Sequence, residues 1–423
     1  MKSLSILALL SIASSLACSG SASSSKGELR SSLSRNLTPV VDSADAAQLA
    51  KDNLAFACDL HARLRAGNTG NFIFSQSSIS LALAMLYGGA AGDTAAQMAT
   101  ALHFTLSADR LHSAFNALDL ALAQAPSSAG ADAFELQLAN STWVQKGLHY
   151  LPAYLDLLAT NYGAGLFTED FATAPETARL DINQWVSDET KQMIAQLFGP
   201  GTIDSVVRLV LVNAVYFHGA WSVPFSSPTT TGIFHAPAGD VSVPMMTNSK
   251  TNAELWSGPG YKAASLDYAG GTTSMILVVP DAGAFDSFEE GLSASSLGDI
   301  LSSASLSSGV VTMPSFKFDT ASPLGDILKD LGMTYAFDPS LADLSGIDGQ
   351  RDLCVGLAIH KAVISVDEKG TTASAATGVT VVGLSLDPQP PAVLVVDRPF
   401  LFFIRHNPTG AIVFQGRVVA PSR

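Results

Sequence analysis

The sequence predicts an α+β protein, with helices gathered in the first half of the chain and strands mixed with helices after them. Apolar residues recur at helical spacing through residues 49–64, 79–87, 153–162 and 180–197. Apolar runs at 206–217 and 274–280, and an alternating run at 359–367, read instead as strands. Neither an internal repeat nor the regular strand–helix alternation of a wound parallel sheet is present.

Taken in order, residues 1–18 read as an export signal: Lys2 gives a basic start, residues 4–16 are largely apolar, and Ala17 precedes Cys18. Leu16-Ala17-Cys18 resembles a bacterial lipoprotein box, in which the cysteine becomes the lipidated N-terminus. Ser15 stands where that box usually has leucine, and ordinary cleavage after Ala17 is the competing reading. The chain is therefore expected to be exported, either extracellular or held at the cell envelope as a lipoprotein with a lipid anchor at Cys18. The apolar stretch is too short for a membrane span, and no later run reaches the roughly 20 apolar residues a span needs. The Ser-rich start of residues 19–42 suits a flexible tether, leaving residues 43–421 as a single domain.

Leu49, Phe56, Leu60 and Leu64 mark the first helix. The run 79–87 is nearly apolar all round and is expected to be buried. Thr94 and Gln97 form a capping-box pattern opening a third helix. The run 206–217, broken mainly by Arg208 and Asn213, suits a central strand covered on both faces. In 359–367, His360, Ala362, Ile364 and Val366 share one face, while Lys361, Ser365 and Asp367 share the other. Residues 400–405 and 411–415 flank Asn407-Pro408-Thr409-Gly410, a hairpin turn.

Of 423 residues, 47% are hydrophobic and 14% charged, ample for a large core. The net charge of −14 argues against nucleic acid as a partner and against a heparin-like cofactor. Cys58 and Cys354 could pair, but their settings, a helical pattern and an apolar strand, equally suit small buried hydrophobes. No phosphate-binding Gly-Lys loop, His-Glu-x-x-His helix, Gly-x-Ser-x-Gly elbow or Cys-x-x-Cys pair occurs, and the eight histidines are scattered. No metal or cofactor is therefore expected, and the chain does not read as an enzyme. A hydrolase with a triad assembled from distant residues is the weakest reading, because only geometry defines a triad.

One segment does not behave like core. From Gly370 to Leu386 there is no charged side chain, and its first half is almost entirely small. Thr371, Ala373, Ala375, Thr377, Val379 and Val381 fall on one face at period two. Small residues at its start can slide between strands, and the β-branched residues beyond favour the extended state once paired. The pattern is that of a latent strand.

This stretch resembles the hinge and reactive loop of the serpins, whose motif runs Glu, variable, Gly, Thr, variable, then a block of Ala, Gly or Ser. Other family-like segments follow in order: Asn71-Phe72-Ile73-Phe74-Ser75, Asn183-Gln184-Trp185-Val186, residues 213–221, Val243-Pro244-Met245-Met246, Leu331-Gly332-Met333 and Asp397-Arg398-Pro399-Phe400. The similarity spans roughly residues 43–421. It implies three β-sheets, eight or nine helices and an exposed reactive-centre loop, in a monomer. It also implies a target serine protease as partner, trapped as a covalent acyl-enzyme when the cleaved loop inserts into the main sheet. Loop insertion of this kind is a recognised case of strand addition and strain release.

The resemblance assigns Glu368, Gly370, Thr371, Ala373, Ser374, Ala375 and Ala376 to the hinge. Counting about sixteen residues from Glu368, as in the family, places the reactive bond at Leu384–Ser385, with Leu386–Asp387 the nearest alternative. Leucine there suits the apolar primary pocket of a chymotrypsin-like, elastase-like or subtilisin-like protease and not a trypsin-like pocket, which seeks a cation. Ser75, Ser78, Asn213 and His360 match the shutter beneath the sheet, where ordinary buried hydrogen bonding is the plainer reading. Trp221 matches the breach, or else a plain core tryptophan. The hinge lacks the bulky, charged or proline residues that obstruct insertion in non-inhibitory members. A non-inhibitory binding or carrier serpin is the alternative, suggested by the long stretch 385–397 with Pro388, Pro390 and Pro391. Cross-class trapping of a cysteine protease is a further one.

Overall fold

The computed structural model describes residues 27–124, 134–226, 229–248, 253–302, 307–371 and 391–422. The expectations placed on residues 1–26, the export signal and Cys18 among them, lie outside this set.

The helices are α1 (Ser43–Gly67), α2 (Gln76–Tyr87), α3 (Gly92–Ala101), α4 (Ala108–Gln124), α5 (Pro152–Tyr162), α6 (Pro175–Glu189), α7 (Phe285–Glu290), α8 (Ala294–Leu301), α9 (Leu324–Asp330) and α10 (Ser345–Asp348). The first strands are β1 (Glu28–Leu29), β2 (Phe72–Phe74), β3 (Phe134–Gln145), β4 (Leu166–Glu169), β5 (Leu209–Ala220), β6 (Thr230–Ala236), β7 (Gly239–Thr247), β8 (Ala253–Gly258) and β9 (Tyr261–Asp267). They are followed by β10 (Thr273–Pro280), β11 (Ser307–Pro314), β12 (Phe316–Pro323), β13 (Leu357–Val366), β14 (Gly370–Thr371), β15 (Ala392–Val395), β16 (Phe400–His406) and β17 (Ile412–Val418).

These strands form two hydrogen-bonded networks. The seven-stranded main sheet has the order β1-β4-β3-β5-β13-β12, with β14 paired to β5. The ten-stranded network runs β2-β17-β16-β10-β9-β8-β11-β7-β6, with β15 on β11. Two of the three expected sheets are joined here, because β11 pairs with β8 through Ser307–Gly309 and with β7 through Thr312–Pro314.

At the centre, β5 is covered on both faces, which explains its nearly unbroken apolar run. Val210, Val212 and Ala214 pack under α6 with Ile182, Val186 and Phe171. On the opposite face, Leu209 and Leu211 meet the helical core around α2, while Val215 and Phe217 meet the second sheet. β13 shows the predicted alternation, with His360, Ala362, Ile364 and Val366 buried. The C-terminal hairpin closes as read, with Gly410 at φ +70° and its amide donating to the His406 carbonyl at 2.9 Å.

Several boundaries differ from the sequence reading. α6 ends at Glu189 rather than near 197, because Lys191 and Gln192 take positive φ and the Thr190 hydroxyl folds back onto the Val186 carbonyl. β5 starts at Leu209, because Val206 and Val207 turn over Asp204. The capping box at Thr94 and Gln97 does not form. α3 begins at Gly92, the Thr94 hydroxyl accepts from the Asp343 amide, and Gln97 Oε1 accepts from the Thr334 and Tyr335 amides. Both thiols are free, and burial pushes that of Cys58 up to about 12.

The tether expected at 19–42 is corrected from residue 27 onward. β1 pairs with β4, the Asn36 amide donates to the Thr160 carbonyl at 2.9 Å, and Arg35 bridges to Asn116 and Asp119. Ser-rich composition suggested freedom, but the edge of β4 offers unpaired backbone groups that Glu28 and Leu29 complete.

Candidate functional site

β5 and β13 run parallel and pair from Leu357–Val210 to Val363–Tyr216, and no further. Above that point β5 continues to Ala220 and β13 to Val366, so a wedge opens between them. Into this wedge the chain folds back. Asp367 Oδ1 accepts from the Lys369 amide at 2.9 Å and the Gly370 amide at 3.2 Å, which closes a tight turn. Gly370 and Thr371 then pair antiparallel with Ala220 and Gly219. Gly370 and Thr371 thus form one short rung beside β5. Gly370 sits at φ +145°, and a Cβ there would overlap the Gly219 carbonyl and lie 2.5 Å from Ala220 Cα. Only glycine fits.

Trp221, expected at the breach, holds the mouth of the wedge. Its indole Nε1 donates to the Asp367 carbonyl at 3.0 Å and its amide to the Lys369 carbonyl at 3.0 Å. The ring stacks on Tyr268 with centroids 4.6 Å apart, and the Phe225 amide donates to the Glu368 carbonyl at 2.8 Å. Glu368 is therefore tied down by its backbone.

Below the wedge the four expected shutter residues meet in one buried cluster. Asn213 on β5 lies opposite His360 on β13 and, on its other side, opposite Asn140 on β3. The Ser75 amide donates to His360 Nε2 at 3.1 Å, so the ring proton sits on Nδ1, which faces Asn213 Oδ1. Asn213 Nδ2 donates to Ser78 Oγ at 2.8 Å and to Asn140 Oδ1 at 2.5 Å, and Ser78 Oγ donates to Asn140 Oδ1 at 2.9 Å. Ser75 also caps α2 by accepting from the Ser78 amide. Burial drives the His360 pKa down to about 3, so the ring is neutral and can both accept and donate. The His360–Asn213 bond spans the seam between β5 and β13.

Asn140 and Asp367 were missed by the sequence reading. Their signal lies in register and turn geometry, which no local motif carries. Ala373, Ser374, Ala375, Ala376, Leu384 and Ser385 lie outside the described residues. Among the described residues, the wedge and cluster offer no nucleophile paired to a base. Elsewhere His61 is buried against Glu289 at 2.8 Å, but its second ring nitrogen accepts from Gln415, which leaves no hydroxyl to activate.

The family model "Serpin (serine protease inhibitor)" matches residues 51–421. The leukocyte elastase inhibitor A of Mus musculus is 36% identical over 389 residues, covering 88% of this chain and all of that protein. The leukocyte elastase inhibitor of Homo sapiens is 36% identical over 390 residues with the same coverage. An uncharacterized serpin-like protein of Thermococcus kodakarensis is 36% identical over 369 residues, covering 87% of this chain and 84% of its own. The crystal structure of a thermophilic serpin, tengpin, in the native state superposes with a TM-score of 0.77 at 25% identity, covering 93% of this chain and 97% of that one. With the serpin family model matching residues 51–421 and relatives 36% identical over 87–88% of its length, this chain belongs to the serpin family.

Proposed function

We propose that the protein inhibits serine proteases with an apolar primary pocket, as a suicide substrate. The observation that carries this reading is the pairing of Gly370–Thr371 with Ala220–Gly219 at the mouth of a seam whose two strands stop pairing at Val363 and Tyr216. The protease serine Oγ attacks the Leu384 carbonyl carbon, and the C–N bond to Ser385 breaks. Leu384 is left as an ester on the protease, and Ser385 is released as a new amino terminus. The freed hinge then zips between β5 and β13, carrying the esterified protease away before water completes hydrolysis. The small hinge residues and the already seated Gly370 favour this over a carrier role.

Export, with Cys18 as a lipid anchor at the cell envelope, and a monomeric state belong to the same proposal. Export and the anchor rest on Lys2, residues 4–16 and Leu16-Ala17-Cys18, and the monomeric state on the family resemblance.

Incubation with chymotrypsin-like, elastase-like and subtilisin-like enzymes tests the trapping. An SDS-resistant adduct is expected, together with a released fragment whose first residue is Ser385. Clean cleavage with no adduct across the panel overturns trapping. Leu384→Arg is expected to redirect the adduct toward trypsin; an unchanged preference places the reactive bond elsewhere.

A further inference from the structure

Residues 27–41 grip the body through side chains four residues apart. The Ser31 hydroxyl donates to Asp156, Arg35 donates to Asn116 Oδ1 at 2.9 Å and pairs with Asp119 at 2.7 Å, and Pro39 is half-buried. Between these anchors the large apolar residues turn outward. Leu29 is 38% exposed, Leu33 50%, Leu37 70% and Val40 92%. Four of the thirteen large apolar side chains exposed among the described residues thus fall within residues 29–40. A lone exposed leucine needs no explanation, but a row of them on one short segment marks a surface that meets something apolar.

Two further facts select the occupant. In a chain of net charge −14, the one acidic residue between positions 27 and 41, Glu28, has a side chain only 10% exposed and is held by Arg30 at 2.7 Å. Within this strap, residues 27–41, no free carboxylate therefore repels an anionic headgroup, and the exposed Asp42 lies just beyond, where the chain enters α1. Gly27 also follows Cys18 by nine residues, a span of at most about 30 Å. On the Cys18-anchored reading, on which this inference leans, the strap is held close to the bilayer. Among the described residues no helix is long and apolar enough to cross a membrane, so any contact is peripheral.

We propose that the outward-facing Leu29, Leu33, Leu37 and Val40 contact a bilayer, dipping into its headgroup–acyl boundary at the β1 edge of the main sheet. The test uses the full chain carrying Leu37→Cys in a Cys354→Ser background, labelled with a polarity-sensitive fluorophore and shown by peptide mass to carry it at position 37 and not at Cys18. It is placed with phosphatidylglycerol/phosphatidylethanolamine vesicles containing brominated lipid. Quenching of about twofold or more at position 37, with none for a Val206→Cys probe on the exposed turn before β5, is expected. No quenching at position 37, or equal quenching at both positions, overturns the proposal. The mass of the N-terminal fragment recovered from cell membranes reads the anchor separately. A lipidated Cys18 with an unquenched probe keeps the anchor and removes the strap; an unmodified Cys18 with a quenched probe does the reverse.

Discussion

Nicking the chain at Leu384–Ser385 should raise its melting temperature, by an amount that follows from the seam. A strand laid between β5, of 12 residues, and β13, of 10 residues, breaks their seven parallel pairs and gives each strand a new partner along its length. The net gain is on the order of ten backbone hydrogen bonds, or ~10 kcal/mol at about 1 kcal/mol each. Ordering the loop opposes insertion, and burial of its Ala and Val side chains offsets a cost of similar size. For a folded body of roughly 380 residues the unfolding entropy is about 0.8 kcal/mol/K, so this gain raises Tm by about 12 °C. The assay is calorimetry of the intact and singly nicked protein at several scan rates, since the intact form is held kinetically. A nicked protein that melts within about 2 °C of the intact one refutes loop insertion, because two new ladders cannot form at so small a gain.

Other perturbations test separate parts of the site. Gly370→Val cannot occupy φ +145° against the Gly219 carbonyl, so the hinge should leave the wedge; loss of adduct with continued cleavage at the loop is expected, and undiminished trapping would mean that the docked hinge is unimportant. Asn140→Ala removes the acceptor of both Ser78 Oγ and Asn213 Nδ2 and should cost about 1–3 kcal/mol in denaturant unfolding. A double-mutant cycle with Asn213→Ala should return a coupling of about 0.5–3 kcal/mol, and strict additivity would dissolve the proposed cluster. His360 and His112 are pushed down by burial to about 3 and about 4. They stay neutral in the native state while the unfolded chain takes up protons, so their contribution is whole above about pH 6.5 and is lost as pH falls toward those lowered values. Each should remove about 2 kcal/mol between pH 6.5 and pH 5; urea midpoints that do not shallow in His360→Gln over this window would contradict the assignment.

Much of the architecture is written in one-dimensional patterns. The period-two burial of His360, Ala362, Ile364 and Val366, the doubly covered run of β5 and the turn at Gly410 are each set by neighbours along the chain, so spacing alone reveals them. Gly370 likewise marks in the sequence a place where the backbone can go left-handed, as it does at φ +145°. Where helices stop was less legible. α6 ends in the left-handed turn at Lys191 and Gln192, residue types that carry no stop signal.

What spacing cannot express is which strand stands beside which, and at what height. Asn140 joins the cluster only because antiparallel register sets it opposite Asn213, and Gly370 becomes irreplaceable only where it meets the Gly219 carbonyl. The docking of residues 27–42 likewise depends on an edge that β4 presents more than a hundred residues later. Local preferences act through a few bonds, and the chain advertises them openly. The seam between β5 and β13, its wedge and the strap arise from contacts between distant segments, whose geometry exists only once all of them are packed.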